Sequence, residues 1–142
     1  MKHLIIIVFI VSVFSCVSVK KDVSLFDEYK LYVFSINENE AVFLKNMLSS
    51  EVRNKIKLTG EDAFPILSSF HGVLKEVTGQ YQLINNNKGC LTVNGYDENK
   101  SPVSLYIEYI NENSKWLLSY VEVFYLDSPK EFKNRGVCPA RL

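Results

Sequence analysis

The run Lys115-Trp116-Leu117-Leu118-Ser119-Tyr120-Val121-Glu122-Val123-Phe124-Tyr125-Leu126 constrains the fold more than any other stretch. It is rich in β-branched and aromatic residues, which suit a pleated, packed surface, and it holds the only Trp of the chain. By parity, one row is Trp116, Leu118, Tyr120, Glu122, Phe124 and Leu126; the other is Leu117, Ser119, Val121, Val123 and Tyr125. Both rows are mostly apolar, which predicts a central strand covered on both faces. Glu122 is the one residue in the run that packing does not explain.

The residues before it share the same period of two. Strands are expected over 73–84, 89–96, 102–110 and 115–126, joined by turn-forming residues at 85–88, 97–101 and 111–114. Connections this short give an antiparallel meander. A turn at Glu112-Asn113 sets Tyr109 opposite Trp116, Ile107 opposite Leu118, Leu105 opposite Tyr120 and Val103 opposite Glu122. The Trp116 row then faces the interior, with Glu122 at its end. The other face carries Val121, Val123 and Tyr125, more apolar than a wet face requires, and so offers a surface for a second copy or a partner protein.

Upstream the period is helical. Over 22–36, Leu25, Phe26, Tyr29, Tyr32, Val33 and Ile36 fall on one broad face. Asn37-Glu38-Asn39-Glu40 ends that helix and opens a second, through about Leu48, with a capping-box arrangement of Asn37 and Glu40. Ser49-Ser50-Glu51 caps a short turn over 52–56. A further helix over 62–71 tolerates Pro65 in its first turn and stops at Gly72. Helices followed by a meander make an α+β domain, about three helices on one face of a curved four-stranded sheet. Residues 127–142, with Pro129, Gly136 and Pro139, read as an irregular tail.

The chain has 142 residues, enough for one such domain. Its 16 Lys+Arg balance 16 Asp+Glu, which argues against a nucleic-acid surface. The first residues are an address. Met1-Lys2-His3 is basic, and residues 4–14 are apolar except Ser12. This is the pattern of a secretory signal peptide, shorter than the roughly 20 apolar residues a spanning helix needs. Val13-Phe14-Ser15-Cys16 resembles the lipobox of bacterial lipoproteins, matching at Val13, Ser15 and Cys16 and departing at the bulkier Phe14. The resemblance implies that residues 1–15 are removed, that Cys16 carries lipid and anchors the protein to the envelope, and that residues 16–21 are a tether. Val17 after Cys16 favours the outer membrane where a cell has two. Ordinary signal cleavage with a free Cys16, and an uncleaved anchor reaching Val19, are the alternative readings.

With Cys16 acylated, Cys90 and Cys138 form an even pair in an oxidising compartment. A disulfide between them closes a loop of 48 residue steps, worth roughly 4 kcal/mol by chain entropy; two unpaired thiols are the alternative. No metal site is expected, because beyond the leader there is one His, His71, and no Cys-x-x-Cys. His71, in the last turn of its helix, suits the helix dipole.

The element order resembles the nuclear transport factor 2-like superfamily. Asn37-Glu38-Asn39-Glu40-Ala41-Val42-Phe43-Leu44-Lys45-Asn46-Met47-Leu48-Ser49 is similar to that family's second helix, and Ser114-Lys115-Trp116-Leu117-Leu118-Ser119-Tyr120 to its last strand. The resemblance covers residues 22–126 and implies a cone with a pocket between sheet and helices. Members include isomerases, dehydratases, ligand or partner binders and small envelope lipoproteins, so fold alone does not give function.

In such a pocket Glu122 is a candidate general base, since an apolar site raises a carboxyl pKa, while a solvated or paired rim carboxylate is the plainer reading. Tyr109 and Tyr120 are candidate ligand contacts or core residues with satisfied hydroxyls. No nucleophile elbow, phosphate-cradling Gly loop, zinc motif or cofactor motif is present. The expectation is a non-enzymatic envelope lipoprotein that binds a partner protein or a small apolar ligand. The alternatives are a small enzyme using Glu122 and an immunity-type lipoprotein that neutralises a toxin.

Overall fold

A computed structural model describes residues 23–37, 41–59 and 70–140. The leader, Cys16 and the tether, residues 38–40 of the expected capping box and most of the helix expected over 62–71 lie outside the described residues. Those described form an α+β domain: helices α1 (Leu25–Asn37), α2 (Ala41–Asn46) and α3 (Ser50–Thr59), then strands β1 (Glu76–Asn85), β2 (Lys88–Tyr96), β3 (Pro102–Glu112) and β4 (Lys115–Tyr125). The strands pair antiparallel in the order β1-β2-β3-β4.

Ser24 opens α1, its hydroxyl accepting the Asp27 N–H at 3.2 Å. Leu25, Tyr29, Tyr32 and Ile36, spaced by four, three and four, are buried as one stripe. Asp27 and Lys30 pair on the outer side at 2.6 Å. The side-chain amide of Gln82 in β1 fixes the helix entry: it accepts from Leu25 N–H at 3.0 Å and donates to the Val23 carbonyl at 2.9 Å. The expected turn over 52–56 belongs to the ten-residue α3. Ser49 caps it with its carbonyl, which takes the Arg53 N–H at 3.0 Å. Glu112, from the β3–β4 hairpin, accepts from the Ser50 N–H at 2.9 Å and from its hydroxyl at 2.9 Å. A carboxylate there answers both the orphan amides and the positive end of the helix.

The last hairpin turns at Asn113-Ser114, both at positive φ (52° and 64°), one residue beyond the expected turn. Tyr109 therefore faces Leu118, and Asn111 faces Trp116. A bulge follows between Glu108 and Tyr109, so that Glu108 faces Tyr120, Ile107 faces Val121 and Leu105 faces Val123. The interior row of β4 is thus Trp116 and Leu118, then Val121 and Val123. This overturns the expectation that Val121, Val123 and Tyr125 lie opposite the helices: Val121 and Val123 pack against the helix-side core, with Tyr125 exposed beyond them.

The core lies between the helices and one sheet face. Leu25, Tyr29, Tyr32, Ile36, Leu44 and Leu48 meet Leu91, Val93, Leu105, Ile107, Tyr109 and Leu118. Phe70 stacks on Tyr32 at 5.2 Å between ring centroids. Gly89 lets α1 close down, because a Cβ there would meet Leu25 Cδ1 at 2.7 Å and Trp116 Cζ3 at 3.2 Å.

β4 is an edge strand and not the central one its composition suggests, because the chain after it turns back over the sheet instead of adding a fifth strand. Its outer edge is blocked at one point: Leu118 N–H donates to the Met47 carbonyl and Ser49 N–H to the Leu118 carbonyl, both at 2.8 Å. The tail starts with a 3₁₀ turn (Pro129–Glu131) capped by Ser128. It then crosses the second sheet face, over a row of buried polar residues that includes Thr92, Asn94, Ser104 and Glu108. Asn94 Nδ2 donates to the Lys133 carbonyl at 2.9 Å, and Val137 N–H donates to Thr92 Oγ1 at 3.0 Å. The Cys90–Cys138 disulfide, with Cα atoms 4.9 Å apart, locks the strap down.

Candidate functional site

α1, α2 and the β3–β4 hairpin converge on a cleft of about 630 Å³. Trp116 and Leu117 enter its lining from β4, Leu31 and Glu28 from α1, and Phe43, Asn46 and Met47 from α2 and the residue after it. Leu31 and Phe43 are 49% and 45% exposed, so the cleft presents apolar surface to solvent. The Trp116 ring is half-buried, seated against the Gly89 backbone, and so forms part of the cleft while touching the core.

The charged groups of the cleft differ in their partners. Asp27 is paired with Lys30, whose ammonium also lies 5.4 Å from the Phe26 ring centroid. Glu28 makes no hydrogen bond or ion pair with the described residues; burial first, and the Asp27 charge second, raise its pKa above the usual glutamate range. Behind it lies a group of tyrosines. Burial pushes Tyr29 up to about 12 and raises Tyr32 further. Tyr109 is fully buried, and its hydroxyl has no hydrogen-bond partner among the described residues. Burial, and then the charge of Glu28, hold its pKa well above the usual phenol value.

The expected pocket residues are not brought together. Tyr109 points into the core, whereas Tyr120 pairs with Glu108 on the tail side and is exposed. Glu122 also lies on the tail side, opposite Tyr106. Its Oε2 accepts the Ala140 N–H at 3.1 Å, and its charge is the second cause, after burial, of a raised Tyr106 pKa. The bulge accounts for this, since a shift of one residue sends a side chain to the other face. A general base in a cone pocket therefore has no geometry at Glu122. The interior between helices and sheet, where such a pocket was expected, is filled by Leu91, Val93, Leu105, Ile107 and Tyr109.

Sequence reasoning missed two features. One is Glu28, half-buried at the cleft; an acidic pair in the first turn of a helix is ordinary, and no local signal marks it. The other is an ion pair on the tail side, where the Nζ of Lys88, itself about half exposed, stands 2.7 Å from Oε2 of the buried Glu108. Glu108 is 1% exposed, beside the disulfide. Its place in the polar row with Cys90 was the available signal. Among the described residues, no group of three His, Cys, Asp or Glu is arranged to hold a metal, and no helix is long and apolar enough to cross a membrane.

No protein-family model, curated protein or solved structure matches this chain.

Proposed function

We propose that this is a lipid-anchored protein of the bacterial envelope whose domain is a non-enzymatic binding module, and that the cleft between α1, α2 and the β3–β4 hairpin takes a small, largely apolar ligand. The observation that carries the reading is the cleft itself. Its 630 Å³ falls in the range of small-molecule sites, roughly 300–1,000 Å³, and its lining combines six aromatic or aliphatic residues with seven polar or charged ones. Helices preceding a four-stranded meander on one sheet face support a nuclear transport factor 2-like fold, with the ligand site moved to the end of the helix layer.

The anchor gives the cleft its surroundings. Val23 and Ser24 line it, seven and eight residues after Cys16. An extended chain spans at most ~3.5 Å per residue, so a lipid on Cys16 keeps the cleft within about 25 Å of the membrane. Labelling cells with a radioactive fatty acid tests the anchor: label on wild type and none on Cys16→Ala supports it, and label surviving the substitution overturns it. The cleft is tested by apolar fluorescent probes such as 1-anilinonaphthalene-8-sulfonate. Saturable binding that quenches or shifts Trp116 emission supports the site, and binding unaffected by Phe43→Asp overturns it.

A second reading rests on one further surface. Tyr120 and Phe124 are exposed on the tail side of edge strand β4, and Phe124 contacts Tyr106 at 4.7 Å. An exposed aromatic row on an open edge suits a partner protein. Crosslinking in intact cells, compared with Tyr120→Ala/Phe124→Ala, distinguishes it: a crosslinked species lost in the double variant supports docking, and recovery of monomer alone counts against it.

A further inference from the structure

We infer that the cleft ligand is a single-chain amphiphile with a zwitterionic head, its ammonium set against Glu28 and its anionic group against Lys115. This rests on reading the cleft as a ligand site and assigns the chemistry of that ligand.

The argument starts from charge. The lining contains three charged side chains besides the apolar ones: Asp27, Glu28 and Lys115. Asp27 is neutralised by Lys30 at 2.6 Å. Glu28 and Lys115 take part in no ion pair or hydrogen bond among the described residues. The cleft therefore offers one uncompensated carboxylate and one uncompensated ammonium. A simple cation would meet Lys115, and a simple anion would meet Glu28. A head carrying both signs satisfies both, and a charge-assisted contact is among the stronger hydrogen bonds a site can form.

The rest of the lining fits that head and a chain behind it. Trp116 and Phe43 give aromatic surface in the same cleft as Glu28, and aromatic faces attract ammonium groups. Leu31, Met47 and Leu117 extend the apolar surface for a hydrocarbon chain. Glu28 is also kept from settling its charge internally. The groups around it are Asp27 and Lys30, which satisfy each other, the phenols of Tyr29, Tyr32 and Tyr109, all raised by burial, and Lys115 from β4. None of the phenols can supply positive charge, and Lys115 forms no ion pair with Glu28. An ammonium arriving from outside favours the ionised carboxylate, so binding releases a proton wherever Glu28 is protonated in the free protein, and affinity rises with pH through the Glu28 titration.

The test uses the full chain carrying Cys16→Ala, so that no anchor lipid competes, and three probes below their micellar concentrations: dodecylphosphocholine, dodecyltrimethylammonium and dodecyl sulfate. Trp116 emission and the shift in Tm are read together. The phosphocholine probe is expected to bind tightest. Glu28→Gln should weaken the phosphocholine and trimethylammonium probes about tenfold, the loss expected of one close pair of opposite charges in a partly desolvated cleft, since a quaternary ammonium has no N–H to donate, and leave dodecyl sulfate unweakened. Lys115→Gln should weaken phosphocholine and dodecyl sulfate. Saturable binding with equal affinity for all three heads, or a ranking untouched by Glu28→Gln, overturns the zwitterion assignment and leaves the cleft as an apolar site. No response from Trp116 or Tm to any probe overturns both.

Discussion

The backbone N–H of Ala140 donates to Glu122 Oε2 at 3.1 Å. The carboxylate first in line for catalysis by its place in an aromatic strand is thus a fastening point for the C-terminal strap. Glu122→Gln keeps an acceptor at that point, whereas Glu122→Ala removes it. Denaturant melts should show less than about 1 kcal/mol lost for Gln and about 1 kcal/mol for Ala, the net worth of one ordinary hydrogen bond. Probe binding in the cleft should be the same in both, because the residue lies on the other sheet face.

The strap is held more strongly by its disulfide. Cys138→Ser reopens a loop of 48 residues and is expected to lower unfolding free energy by roughly 4 kcal/mol at most, read as a shift in urea midpoint. Gly136 tests the same contact without touching sulfur. A Cβ there would press on the Leu83 backbone nitrogen and come within 2.6 Å of the Gln82 carbonyl carbon and 2.8 Å of the Cys90 carbonyl oxygen. These are backbone atoms that cannot rotate away. Gly136→Ala should therefore cost about 1–3 kcal/mol, as overpacking does. A neutral result would mean the strap does not lie against β1 and β2 as described.

Tyr109 carries a hydroxyl in the core with no partner among the described residues. Leaving such a group unsatisfied costs about 1–3 kcal/mol, so Tyr109→Phe should stabilise the protein by about 1 kcal/mol in thermal or urea unfolding. A loss of stability would show that the hydroxyl is satisfied in solution.

Glu28 gives the folded protein a pH signature. Its pKa is raised above the ordinary glutamate value of 4.5, so between 4.5 and the raised value the native state holds more proton than the unfolded chain. Stability from this group is therefore greatest below 4.5, falls as pH rises through that window, and stays lower at neutral pH. Glu28→Gln should raise Tm slightly at pH 7 and lose that advantage near pH 4. An advantage that grows on acidification would contradict the sign.

Much of the sheet was legible. Residues 73–126 alternate with period two and are punctuated by Asn, Asp and Ser. All four strands fall within a few residues of expectation, and the β3–β4 turn moved by only one residue. The face assignment of β4 was legible only in part. Trp116 and Leu118 were read correctly as interior, but no Gly or Pro marks the bulge that follows. The interior residues Trp116, Leu118, Val121 and Val123 are spaced by two, three and two, and that change of step was the trace of the bulge. It also explains why both parities looked apolar: the strand changes its inward row midway. The polar row Thr92, Asn94, Ser104 and Glu108 belongs to the face read as a surface for a second copy or a partner protein, and alternation could not show that the chain's own tail covers it. Cys90 lies in that row, and its link to Cys138 was the one sequence sign that the tail returns there. The cleft was not legible, since it arises where three elements separated in sequence meet.

Trp116 is the only Trp of the chain and lines the cleft, so its emission reports on the proposed site directly. Titrating the Cys16→Ala protein with dodecylphosphocholine below its micellar concentration should give a saturable change in Trp116 emission, weakened by Glu28→Gln and unchanged by Glu122→Gln. Emission that does not respond, or that responds equally in Phe43→Asp, would contradict the account of this domain as a binding module built around that cleft.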